Sequence, residues 1–151
     1  MSPNEPRQPE GWKPNDKVIE GRIGADRIKA ALEKHGIIIV GGKEVITSRD
    51  EGIDDILYEL RRTDMPPGIQ SWQLPIILDK NTFVFLTVAA PGAIVPTHKH
   101  SRDLFRVVIS GSIITDEKEL KSGDWMYVPK GVEYSYHAGL NPGAVTMHFY
   151  D

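Results

Sequence analysis

The sequence predicts an all-β barrel or sandwich with minor α content, its strands preceded by two short helices. Three observations carry that expectation. From Gln70 onward the chain is a succession of short aromatic and β-branched runs, separated at regular intervals by turn residues. Upstream of Gln70, two segments space their apolar residues at helical intervals. The composition is that of a globular domain, 40% hydrophobic and 26% charged, and 151 residues suffice for one core without staples.

The elements follow in order. Residues 1–16 carry Pro3, Pro6, Pro9 and Pro14 among polar side chains. They read as a disordered arm, leaving 17–151 as one domain. In the first helix Ile28, Ala31, Leu32 and His35 fall at i, i+3, i+4 and i+7, and Gly36 sits where a helix stops. His35 reads as a last-turn residue favoured by the helix dipole. The second helix repeats the spacing at Ile53, Ile56, Leu57 and Leu60, with Asp54 and Asp55 early and Arg61 and Arg62 late. Between them Ile37–Val40 reads as a strand ended by Gly41-Gly42. Strands then follow at 72–78, 83–89, 104–109, 112–115, 125–128, 132–136 and 145–150, with Asp79-Lys80-Asn81 as turn chemistry between the first two.

Composition also excludes function classes. The chain has no cysteine, which rules out disulfides, thiolate metal sites and a cysteine nucleophile. A net charge of −3 with both signs interspersed argues against nucleic acid and anionic membranes as partners. The start carries no apolar run of the signal-peptide kind, so a cytoplasmic location is the default expectation.

The candidate chemistry begins at His98 and His100. Two histidines two residues apart on a strand point to one face, which is the basis of a first-row metal site. Around them, Gly92, five residues, His98, Lys99, His100 and then Gly111 resemble the first motif of the cupin superfamily, the RmlC-like jelly rolls. Gly123, five residues and Pro129-Lys130-Gly131 resemble the second. The resemblance implies a cupin (double-stranded β-helix) barrel, with both motifs inside 92–134.

It also implies four metal ligands, of which this sequence keeps two. Leu104 stands at the glutamate position, with Asp103 beside it, and Tyr134 stands at the third histidine position. Asp103 would need a bulge to reach inward. Tyr134 can bind as a phenolate, because a cation lowers the pKa of a coordinated group. His137, three residues on, falls on the opposite face. Two readings stay open: a metal site completed by Tyr134, water and an unexpected side chain, with iron(II) favoured over nickel, zinc or manganese, or a relic in which the histidines bind a ligand directly or bind nothing.

The last strand places Thr146, His148 and Tyr150 on one face. This resembles the Ser-x-His-x-Tyr triad of the thiol dioxygenases, cupins that also lack the first-motif glutamate. The resemblance implies that Thr146 orients His148 and that His148 orients Tyr150. The alternative is a barrel strand in which Tyr150 is a core aromatic with a wet tip. By alternation Arg106 points into the barrel between Leu104 and Val108, where a guanidinium needs an anion: a substrate carboxylate, or Glu133 or Asp124. Tyr136 lines the same interior as a second substrate contact.

Three functions follow as expectations. The first is a mononuclear metal enzyme on a small polar or carboxylate-bearing substrate, best described as a non-haem iron dioxygenase. The second is a non-catalytic small-molecule-binding cupin, and the third a metal-free isomerase or epimerase. A homodimer is expected, with the edge of Ile37–Val40 as one surface that suits it.

Overall fold

In a computed structural model of the chain, the residues described are 12–38, 42–78 and 82–151. A 3-10 turn at Asp16–Ile19 leads into helix α1, Gly21–Lys34, and α2 follows at Ile53–Glu59. Eight strands complete the domain: β1 Ile69–Gln73, β2 Phe83–Ala89, β3 Ile94–His98, β4 Leu104–Thr115, β5 Lys118–Lys121, β6 Trp125–Val128, β7 Tyr134–Ala138 and β8 Ala144–Tyr150. They form a curled antiparallel sheet in the order β1-β2-β8-β4-β7-β3, with β5 and β6 also paired to β4. This is the jelly-roll barrel with two preceding helices that the sequence predicts.

The helices close one end of the barrel. Ile28 and Leu32 of α1, with Ile56 and Leu60 at α2, pack on Phe83, Phe85, Leu104 and Tyr150. The two stripes read from sequence are therefore the faces that cover the barrel end. His35 caps α1, and its Nε2 lies 3.1 Å from Glu59 Oε1, so it joins the two helices.

Several elements depart from expectation: β3 and β5 are absent from the predicted strands, and β7 spans Tyr134–Ala138 rather than 132–136. The first strand begins at Ile69, after Gly68 (φ 77°), and ends at Gln73 rather than running over 72–78. Pro75 has no N–H to give a ladder, and Leu74 N donates the last bond, to Val84 O at 2.8 Å. The runs at 104–109 and 112–115 are one twelve-residue strand. It passes a register shift between Val108 and Ser110, and a positive-φ Gly111 whose absent Cβ makes room for Gly143 O. Before that kink β4 pairs with β6 and β8, and after it with β5 and β7. The bend thus carries one strand around the barrel corner. Finally, Ile37 and Ile38 run as irregular backbone, while Ile39, Val40 and Gly41, like the turn at 79–81, lie outside the described residues.

Register stacks the inward side chains in layers. Phe83, Tyr150, Leu104 and Val128 align across β2, β8, β4 and β6. The next row is Gln73, Phe85, His148 and Arg106, and the one after it Ser71, Thr87, Thr146 and Val108. A polar band therefore crosses the interior between two apolar clusters.

Candidate functional site

Strand β3 ends at His98, so His100 lies in the following loop rather than on the strand. The two rings still converge, 4.7 Å apart between centroids, and both are buried. Their orientation is set from behind. His98 Nδ1 donates to Pro96 O at 2.6 Å, and His100 Nδ1 to the Asp16 carboxylate at 2.9 Å. A ring nitrogen facing a carbonyl or carboxylate carries the proton, which leaves each neutral ring with a bare Nε2 lone pair. Those two Nε2 atoms face each other at 3.1 Å. Burial pulls His98 down to about 4, so it is neutral at ordinary pH.

Tyr134 and Tyr150 complete the ring. Their hydroxyls stand 3.3 and 3.4 Å from His100 Nε2. Burial holds both as neutral phenols, raising Tyr134 to about 12 and Tyr150 further still. Asp103 does not enter: its carboxylate accepts from Lys130 N at 2.8 Å, outside the barrel. The β4 irregularity lies beyond Val108, too far along the strand to re-aim it. His137 alternates away from the Tyr134–Tyr136 face.

Arg106 is 4% exposed, and no carboxylate among the described residues pairs with it; Glu133 and Asp124 are both at the surface. Its guanidinium donates to Thr146 Oγ1 at 2.9 Å and sits 4.8 Å from the Tyr136 ring centroid. Its Nε is buried without a partner, as is His148 Nδ1. Thr146 is therefore engaged with Arg106 rather than with His148. His148 stacks on Phe85 and meets the Tyr150 ring edge-on, 5.2 Å between centroids in each case, while the Tyr150 hydroxyl turns to His100. Burial first, then the Arg106 charge, keeps His148 neutral.

The mouth is closed by chain that the sequence reading grouped with the leader. Residues 1–11 lie outside the described residues, but Trp12–Asp16 packs on the barrel. Trp12 donates from Nε1 to Asp64 O at 2.6 Å and stands edge-on to His98. Asp64 also accepts from Asn15 N and pairs with Arg62, whose side chain is 3% exposed. Burial raises the Asp16 carboxyl, yet the bonds from His100 and Ser101 N more than offset that and hold it below its ordinary value. The cavity left beneath is about 20 Å³.

Sequence reasoning missed Trp12, Asp16 and Arg62. A lone tryptophan in a polar, proline-rich leader was the only trace of the strap. Asp16, 84 residues from His100, left none.

A first-row ion fits part of this geometry. At metal–nitrogen distances of 2.0–2.1 Å, nitrogens separated by 3.1 Å subtend roughly 95–100°, the angle of neighbouring ligands. Asp16 behind His100 is the carboxylate–histidine support common at metal centres. However, no group of three or more histidine, aspartate or glutamate side chains suited to a metal occurs among the described residues. Any third protein donor would be a phenol oxygen.

Comparison with known proteins places this fold. The structure of KdgF from Halomonas sp. matches with a TM-score of 0.54 at 19% identity, over 72% of this chain and 92% of that one. The Rhodobacter sphaeroides structure of SigE in complex with the anti-sigma ChrR matches with a TM-score of 0.53 at 15% identity, over 86% of this chain and 79% of that one. An RmlC-like cupin of Ralstonia eutropha matches at 0.50 and 15%, over 60% of each chain. No curated protein sequence matches. At these identities the structures establish the fold, and no helix among the described residues is long and apolar enough to cross a membrane. The model of the ChrR cupin-like domain matches residues 57–150, from α2 through the last barrel strand, and the chain belongs to that family.

Proposed function

We propose that this cupin domain is a metal-dependent enzyme acting on a small anionic molecule, with oxygen-dependent oxidation at iron(II) as its reaction class. One observation carries the reading: two Nε2 lone pairs point at each other at 3.1 Å, each ring fixed by an acceptor behind it. Two neutral rings so arranged repel; a phenol proton from Tyr134 or Tyr150 relieves His100 alone, and a cation between the rings relieves both. In this reading His98 and His100 hold the ion, and Tyr134 supplies an oxygen donor where cupins commonly place a third histidine. Two imidazoles with oxygen donors suit iron(II), nickel or zinc, and the ion would supply Lewis acidity and, as iron(II), electrons for dioxygen.

The chain's own groups then have separate tasks. Arg106, aimed by Thr146 and backed by Tyr136, holds the anionic end of the substrate. Its partnerless Nε offers a free donor. Tyr150, neutral and 3.4 Å from His100, donates a hydrogen bond or proton from its hydroxyl. The apolar layer beneath and the Trp12 strap above exclude water.

The test is metal analysis of protein purified without chelator, beside the double variant His98→Ala, His100→Ala. Stoichiometric metal that the double variant loses supports the proposal, and metal-free protein in both cases overturns it. Oxygen uptake with small carboxylates and thiols, in parent and Tyr150→Phe, tests the reaction class. Uptake that falls in the variant supports it; no uptake in the parent rejects dioxygenation.

The closed mouth favours a second reading, a binding module. A cavity of about 20 Å³ has room for about one water molecule, so any organic ligand requires the strap to lift. A ligand that lifts it without turnover would be sensed rather than converted. Thermal stabilisation by an anion, with no chemical change in it, would select this reading.

A further inference from the structure

A second buried arginine, Arg62, faces the chamber from the opposite end of the polar wall. Residues 60–62 run along β1: Gln73 N donates to Leu60 O at 3.0 Å and Arg62 N to Ser71 O at 2.7 Å, with Arg61 paired to Trp72. Arg62 therefore stands opposite Ser71 and extends the inward row Ser71, Thr87 and Thr146 by one position. Its side chain is 3% exposed and lines the same cavity as Arg106.

The two guanidinium groups reach toward each other along this wall. That of Arg62 lies 5.9 Å from the Phe85 ring centroid on β2, and Arg106 extends from β4 to Thr146 on β8. Strands β2 and β8 are neighbours, so about one strand spacing, ~5 Å of wall, separates those two points. The floor there is hydroxyl. Thr87 donates to Ser71 Oγ at 3.0 Å, and Ser71, Thr87 and Thr146 are all buried.

The acceptors that Arg62 uses come from outside the barrel wall. Its Nε and Nη2 donate to the Asp64 carboxylate at 3.2 and 3.0 Å, and Nη2 also to Asn15 O of the strap at 3.3 Å. Asp64 is partly exposed, and it seats the strap by accepting from Asn15 N and, through its carbonyl, from Trp12 Nε1. A third guanidinium, Arg27, adds positive charge beside Arg62: burial, then the Arg62 charge, lowers its pKa. Arg27 donates to Gln73 Oε1 at 2.9 Å, and Gln73 Nε2 is buried without a partner.

We propose that Arg62 is the second anchor of a doubly anionic ligand, a short dicarboxylate whose other end is held by Arg106. The ligand takes the Arg62 donors from Asp64 and Asn15 O, so binding and release of the strap are one exchange. The hydroxyl row between the arginines suits a polar chain joining the two ends. A monocarboxylate has to break the same clasp with nothing to offer Arg62 in its place, and so leaves a buried cation without its anion. The inference rests on the role proposed for Arg106 and names the ligand class.

The test is isothermal titration of the full chain with succinate, glutarate and butyrate, in the parent, Arg62→Gln, Asp64→Asn and Arg106→Met. The parent should bind a dicarboxylate about tenfold tighter than butyrate, the worth of one charge-assisted pair. Arg62→Gln should abolish that preference while butyrate still binds. Asp64→Asn removes the competing carboxylate and should tighten the dicarboxylates severalfold more than butyrate. Equal affinity for mono- and dicarboxylates in the parent, a preference that survives Arg62→Gln, or a weaker dicarboxylate complex in Asp64→Asn overturns the proposal. Should Arg62→Gln fail to fold, the parent and Asp64→Asn decide. Butyrate binding that depends on Arg106 alone would leave the single anion site standing while this inference falls; no binding of any of the three acids overturns both.

Discussion

The two faces of β4 and β8 invert the usual arrangement of a sheet. Inward, Arg106, Thr146 and His148 form a polar band with buried nitrogens left unpaired. Outward, Phe105, Val107, Met147 and Phe149 form an uncharged apolar surface. Neither face is what stability alone would select. A guanidinium in a core without a carboxylate partner is costly, and so is a tryptophan 61% exposed. The inner face is the one on which the proposed anion would bind.

The sharpest way to break the comparison is to truncate neighbours on opposite faces. Leu104 is fully buried in the layer beneath the site. Leu104→Ala should cost about 2–5 kcal/mol in urea unfolding. Phe105→Ala, the next residue, should cost under ~1 kcal/mol in dilute, monomeric protein, because it removes little from the core. Equal losses would mean that the outward face is a structural core.

Arg106→Met sharpens the inner half. Replacing a buried charge that has no carboxylate partner by an apolar side chain of similar length should leave stability unchanged or raise it by about 1–2 kcal/mol, seen as a melting temperature higher by roughly 2–6 °C. Thermal stabilisation by carboxylates or phosphate should vanish in the same variant. A variant that is destabilised yet still binds anions would assign Arg106 a purely structural role.

The smallest effect concerns the strap. Asp64→Asn removes the partner of Arg62 and weakens the seat of Asn15, and should cost about 1 kcal/mol, since Asp64 itself is partly exposed. The same clasp gives a pH dependence. Burial raises Asp64, but the Arg62 bond outweighs it and the carboxyl titrates below its ordinary 3.8. Its contribution is thus complete above pH 3.8 and lost as pH falls through the lower folded value. Trp12 fluorescence beside Trp72 and Trp125 makes the opening measurable by difference against Trp12→Phe. Acid sensitivity that is identical in Asp64→Asn would place the titrating group elsewhere.

The barrel was legible because its signals are local. Strand periodicity over 83–89, 125–128 and 145–150 lies within one element, and a Gly or Pro marks a corner whatever surrounds it. Alternation put Arg106 on the face of Leu104 and Tyr150 on the face of Thr146 and His148, while the cupin resemblance said which face is inward and put Tyr134 there. Where local reading went astray, a distant partner had decided. Gly111 reads as a break, yet β4 runs on through it, because β8 and then β7 supply hydrogen bonds on either side of the kink. Thr146 reads as support for His148, yet Arg106 from the neighbouring strand takes its hydroxyl.

Sequence by itself therefore determined where most of the strands run and which side chains share a face, since both follow from a period of two and from turn chemistry. It also showed that two positions of the cupin ligand pattern hold other residues, Leu104 for the carboxylate and Tyr134 for an imidazole. Only tertiary structure decided how the site is held and closed. Asp16 reaches His100 across 84 residues, and Trp12 settles against His98 from a leader that reads as solvent-borne. The physical reason is that a strap of five residues has no periodicity of its own. Its place is set by a carboxylate finding one imidazole and an indole N–H finding one carbonyl, contacts that exist only once the barrel has formed.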